Sequence, residues 1–266
     1  MKFALSAAGL AAVVASSASA GITIGDTLSL SRAGTSPQRA VTVNFDYSRA
    51  SGATGVTGGV VGNAGITTFD VLQINGSTGY GQITGFCVEI NEGFPDDPIA
   101  YDVVDPTSVP EESPPGNMSA NQSVMMQDLF RRYYSTTVER GAGESWTSYQ
   151  NNAAAFQLVV WEISHENFSS TDLAGMQAEL NIDRGAFVVT DATNGDAGAA
   201  TTVSTLAGNM IAALGSGGWQ SYASLLGASN GSSGSNDNQD FLFVVPSPAV
   251  AGLAGLGLVG MRRRRR

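Results

Sequence analysis

The sequence predicts an α+β protein, a β-rich barrel or sandwich part carrying a helical insert within a single exported domain. Three observations predict it. Apolar residues alternate through the first third, as in AVTVNFDYS (40–48) and GYGQITGFCVEI (79–90). Helical periodicity takes over near residue 119, and a last strand-like run closes the body at 239–245. The roughly 225 residues between the two terminal segments suffice for one domain with a real core or for two small ones.

Taken in order, the run 40–48 puts Val41, Val43, Phe45 and Tyr47 on one face, and TTFDVLQI (67–74) alternates less cleanly. Between them, SGATGVTGGVVGNAG (51–65) reads as a glycine-loaded hairpin or a loose loop. The strand 79–90 carries Cys87, with Phe86 and Val88 on the opposite face. Residues 91–118 hold six prolines among many acids and read as a long surface loop.

A capping box, Ser119 with Gln122, opens a helix whose stripe is Met125, Met126, Leu129 and Tyr133. The next helix, 149–164, aligns Ala153, Phe156, Gln157, Val160, Trp161 and Ser164 on one face. Gln157 is the odd member, because an amide in an apolar stripe needs partners. Further expectations are a helix over 172–180, a strand at 185–190 and an amphipathic helix over 202–214 stopped by Gly215. A short helix at 219–226 and a linker, GASNGSSGSNDN (227–238), precede the final strand. No internal repeat is present.

Both ends address the chain out of the cytoplasm. Residues 1–20 carry Lys2, an apolar run and Ala18-Ser19-Ala20 before Gly21, the pattern of a secretory signal peptide and its cleavage site. At the other end, residues 249–261 are apolar and precede five arginines. Thirteen residues at ~1.5 Å each span about 20 Å, a marginal crossing of a hydrocarbon core of about 30 Å. The arginines would remain on the cytoplasmic side. This end, residues 246–266, resembles the PEP-CTERM sorting signal of Gram-negative-type bacteria through Val245, Pro246, Ser247 and Pro248, the glycine-rich apolar segment, and Arg262, Arg263, Arg264, Arg265 and Arg266. Ser247 stands where that family has glutamate. The resemblance implies a short transmembrane helix, handling by an exosortase-type enzyme after signal peptidase, and delivery to the cell envelope, cell surface or an extracellular polysaccharide matrix.

Without these two segments, seven basic residues face 23 acidic ones, a net charge of −16. Such a body repels nucleic acid and anionic membrane faces. Acid pairs such as Asp96-Asp97 and Asp237-Asn238 read as solvated loops, with no calcium-loop spacing. One cysteine forms no intramolecular disulfide. Cys87 is then a small buried hydrophobe, a partner in an intermolecular disulfide, or a reactive thiol. Paired with Gln157 it has a further option: a thiolate held against a carboxamide can expel ammonia and leave an internal thioester.

Phe86-Cys87-Val88-Glu89 and Phe156-Gln157-Leu158-Val159-Val160-Trp161 resemble the cysteine and Gln-x-x-x-Trp marks of the thioester domains of bacterial surface adhesins, with Asn238-Gln239-Asp240 as an echo of a later glutamine motif. Phe156 and Val159 stand where that family prefers threonine and alanine. The resemblance implies that Cys87 supplies the sulfur, that Gln157 supplies the acyl group and that Trp161 shields the bond, with Glu89 or His165 moving protons. An amine on a surface or matrix polymer would then be captured once, as an adhesin does. The rival expectation is a non-reactive structural protein of the envelope or matrix.

The remaining patterns point to no enzyme and no cofactor. His165 is the sole histidine, so HEN is not a two-histidine zinc helix. A Cys87-His165 dyad for peptidase chemistry would need the two side chains brought into contact by the fold. The acid pairs Glu89 with Glu92 and Glu162 with Glu166 are common for so acidic a chain, and TGGVVGNAG lacks the ending of a phosphate loop.

Overall fold

The computed structural model describes residues 21–55, 59–78, 81–90, 92–93, 98–111, 114–193, 196–231 and 238–245. The expected signal peptide (1–20), the expected sorting signal beyond Val245, and Asp96, Asp97 and Asp237 lie outside the described residues. Strands β1 (Thr27–Phe45) and β2 (Val60–Ile74) form a long antiparallel pair running from Leu28 opposite Ile74 to Val43 opposite Val60. The short β3 (Ser77–Thr78) folds back on the end of β2. Beyond it, β4 (Gln82–Cys87) pairs with β2, β5 (Ile99–Val104) pairs with the start of β1, and β6 (Phe187–Asp191) pairs with its end. Strands β7 (Leu225–Ser229) and β8 (Phe241–Val244) bridge β5 to β4.

The architecture is therefore α+β, with one eight-stranded antiparallel sheet and four α-helices among the described residues. Pairing runs in a cycle, β1-β2-β4-β8-β7-β5, from which β3 and β6 branch. This corrects the expectation of a barrel or sandwich. The second half of β1 and first half of β2 leave the cycle as an open arm, and the described residues hold no second sheet.

Two cores follow from the alternation of side chains along these strands. Leu28, Leu30, Phe69, Tyr101, Phe241 and Phe243 cluster on one side, with Phe69 and Phe241 stacked at 4.4 Å. Val41, Val43, Ile66, Phe86, Val88 and Leu242 belong to the larger cluster shared with the helices. These are α1 (Ala120–Val138), α2 (Trp146–His165), α3 (Leu173–Glu179) and α4 (Ala197–Ala213). Every residue of α2 from Ala153 onward is buried, which explains why AAAFQLVVW is apolar almost all round. Local signals hold at the helix starts: the Ser119/Gln122 capping box closes in both directions, and Ser145, Asp172 and Asp196 cap the other three helices.

Three further expectations are corrected. The predicted surface loop 91–118 contains β5, where buried Tyr101 and Val103 alternate with exposed Ala100 and Asp102 inside a proline-rich setting. Of the predicted helix at 219–226, residues 219–224 are turn and irregular chain, and Leu225 and Leu226 join the start of the linker in β7, whose LLGAS is buried throughout because it lies between β5 and β8. A strand covered on both faces loses its alternation and reads like a buried helix. Finally, β1 begins at Thr27, well before residue 40.

Candidate functional site

Cys87 ends β4 at the place where the sheet loses a neighbour. The last β2–β4 pair is Thr67 with Gly85, whereas the β8 side continues through Cys87 opposite Phe241, and Val88 N–H donates to the Asp240 carbonyl. Successive peptide groups point to opposite sides of a strand, so those of Cys87 face the side that β2 has left. Gly85 permits this tight end: a Cβ there would meet the Phe241 ring at 2.6 Å.

Gln157 fills the vacated rung. Cys87 N–H donates to Gln157 Oε1 at 3.2 Å, and Gln157 Nε2 donates to the Cys87 carbonyl at 2.7 Å. One amide side chain thus reproduces both bonds of a missing strand residue, satisfying a buried backbone pair that water cannot reach. The seam continues along α2. Ser164 Oγ donates to the Val88 carbonyl at 3.1 Å and Trp161 Nε1 donates to the Glu89 carbonyl at 3.2 Å. Gln157, Trp161 and Ser164 stand at i, i+4 and i+7, one polar row on an apolar helix stitched to the strand end.

The expected site residues are thus brought together. Phe86 and Phe156 pack at 4.5 Å, with Phe130 edge-on to both, and lock the seam from the helix side. Glu89 is held from the opposite side: Gln239 Nε2 donates to its carbonyl, and Asp240 N–H donates to its Oε2 at 2.7 Å. Asp240 in turn accepts from the backbones of Glu111 and Asn230. Trp161 is anchored by its indole N–H beside Phe187. Of the residues expected to form a sorting motif, Val245 is described, with its N–H on the Ser224 carbonyl, and the others lie outside the described residues.

The thiol itself is protonated at neutral pH. Burial pushes Cys87 up to about 12, and its closest polar contact is Thr67 Oγ1 at 4.0 Å. Cys87 is 6% exposed and Gln157 1%. Two participants escaped sequence reasoning, Thr67 and Ser164. Ser164 lay on the helix stripe, where a hydroxyl near an amide in an apolar row was the available signal.

The other expected groups work elsewhere. His165 bonds the Trp161 carbonyl and Ser164 Oγ through Nδ1, and neither Cys87 nor Gln157 is among its partners. Burial pulls it down to about 3, so it is neutral. Glu162 Oε1 accepts from Asn181 N–H at 2.6 Å, and Glu166 caps the N–H groups of Asn167 and Ala186. Burial raises both carboxyls, with Glu166 adding to the shift of Glu162. No group of three His, Cys, Asp or Glu among the described residues could hold a metal.

A pH dependence follows with a definite sign. An unfolded histidine takes a proton below about pH 6.5 whereas folded His165 refuses it until about pH 3, so its stability contribution is complete above the first value and lost progressively on acidification. Wild type should lose about 2 kcal/mol more than His165→Gln between about pH 6.5 and pH 5, read from urea midpoints. Glu162 and Glu166 act oppositely in both proteins, since their raised affinity for protons favours the folded state in acid, so they cancel in the comparison. Parallel stability curves for the two proteins would refute the assignment.

No family model, curated protein or solved structure matches this chain.

Proposed function

We propose that this is an exported protein of the cell surface or extracellular matrix, sorted by an exosortase-type enzyme, in which Cys87 and Gln157 form an internal thioester that captures an amine. The observation that carries the reading is the bond from Cys87 N–H to Gln157 Oε1. It holds the acyl group against the residue that bears the thiol, and it polarises the carbonyl in the direction an oxyanion would need. In bond formation Sγ joins Cδ, the thiol proton passes to the amide nitrogen, and ammonia leaves. In capture an amine nitrogen joins Cδ, the C–S bond breaks, and Sγ takes a proton. A buried seam protects such an ester from water.

Composition supports the reading. Every basic side chain between residues 21 and 245 is arginine, and the one lysine of the chain is Lys2. The exported body therefore offers no lysine amine that could discharge the ester of its neighbours.

A second reading has its own observation. Both polar ends of the Gln157 amide are already satisfied by the Cys87 backbone, which suits a non-reactive structural protein in which the amide replaces a strand. Intact mass of the purified protein separates the two. The thioester reading expects a chain lighter by one ammonia, heavier by one methylamine than that species after methylamine treatment, and unaltered in Cys87→Ala. The full unmodified mass, with no methylamine uptake, would leave the structural reading in its place.

A further inference from the structure

A cavity of about 650 Å³ opens between the C-terminal end of α2 and the N-terminal turn of α1, meeting the Cys87 seam at Ser164. His165 on this wall stands eight residues beyond Gln157, about 12 Å along the helix axis. Its ring stacks on Tyr47 with centroids 5.9 Å apart and planes at 24°, giving the cavity a flat aromatic surface that Phe168 extends.

Four polar side chains on the wall have acceptor capacity to spare, those of His165, Tyr47, Asn121 and Asn167. His165 is 2% exposed, and its Nδ1 faces the Trp161 carbonyl, which can only accept. The proton therefore sits on Nδ1, and Nε2 carries a lone pair with no hydrogen-bonding partner among the described residues. The phenol oxygen of Tyr47 is also buried without a partner. Asn121 and Asn167 spend their Nδ2 donors on backbone carbonyls, Asn121 on Thr171 and Asn167 on Tyr47 and Arg49, which leaves each Oδ1 open. A desolvated polar group without a partner is costly, which applies to the Tyr47 phenol and to His165, while the half-buried Asn121 and the exposed Asn167 add acceptors open to an incoming donor.

Charge narrows the ligand. Among the described residues Glu166 is the sole charged side chain on the wall, and backbone N–H groups already occupy its carboxylate. No lysine or arginine among the described residues lines it to balance an anion. What fits is an uncharged molecule with several hydroxyl donors and a flat C–H face for the Tyr47–His165 stack, within the size range of ordinary ligand pockets. We propose that this cavity binds a neutral saccharide, whose hydroxyls donate to His165 Nε2, Asn121 Oδ1 and Asn167 Oδ1, while Tyr47 pairs its phenol with the same ring. The inference does not depend on the Cys87–Gln157 ester.

Calorimetric titration of the purified full chain with cellotetraose, maltotetraose and mannotetraose tests it, with glucosamine and galacturonate tetramers as charged comparators. At least one neutral tetramer should bind, and Tyr47→Phe and Asn121→Ala should each weaken it by about tenfold. Thr201→Ala, in the separate cleft beside α4, should leave binding unchanged. Tyr47→Phe keeps the stacked ring, so loss of folding does not confuse the result, and Asn121 is a second, partly exposed position. Binding by none of the neutral tetramers, preference for either charged comparator, or affinity indifferent to both variants would overturn the proposal.

Discussion

Asp128→Ala should cost about 3–5 kcal/mol of folding free energy, the range expected when one partner of a buried ion pair is removed. Asp128 is fully buried on α1 and accepts from Arg132 Nε at 2.7 Å, from Gly215 N–H at 2.8 Å and from Gln220 N–H at 2.9 Å. Arg132, one turn later and only partly buried, donates onward to the carbonyls of Ser216 and Gly218. The pair thus clamps the turn between α4 and β7, which Gly215 enters with a left-handed φ of 69°. Alanine leaves two backbone donors and a guanidinium without their acceptor. Arg132→Ala should cost clearly less, because its charge is closer to water. Urea midpoints at constant slope measure both, and a loss below about 1 kcal/mol for Asp128→Ala would refute the clamp.

Gln157→Leu should cost about 2–4 kcal/mol even though it makes the α2 stripe wholly apolar. Leucine is similar in size but offers nothing to the Cys87 N–H and carbonyl, and each buried group left unpaired costs about 1–3 kcal/mol. Cys87→Ala leaves that backbone untouched and should cost only about 1 kcal/mol in protein without the ester, the loss of one small buried side chain. The contrast matters for the functional readings. Amine uptake needs both residues, whereas the strand-end role needs Gln157 and only the backbone of residue 87. Equal losses from the two substitutions would mean that Gln157 does not complete the sheet.

Much of the helical half was legible because its signals are local. Ser119 and Gln122 cap each other across three residues, and the stripe through Phe156, Val160 and Trp161 follows from helical spacing. The arrangement of strands was not. Tyr101 and Val103 are core residues of β5, yet their six-residue run is hidden by neighbouring prolines. Leu225 and Leu226 looked helical because β7 is central and buried on both faces. Within the candidate site, the oddity of Gln157 and the isolation of Cys87 were both visible. The contacts around them, Thr67 on the Cys87 thiol and Ser164 and Asp240 on the neighbouring Val88, depend on which elements adjoin β4.

The sequence by itself determined that an amide sits where an apolar residue is expected, that a single thiol lies on a strand ending in FCVE, and that the body is acidic and free of lysine. Composition and short-range periodicity carry such facts, because they concern residues within a turn or two of each other. Only the tertiary structure decided that Gln157 meets the backbone of Cys87, 70 positions away. That contact exists because β2 departs from β4 after Gly85, leaving one residue in the dry interior with its N–H and carbonyl unpaired on that side. The cost of leaving them unmade drives the amide of α2 into the sheet.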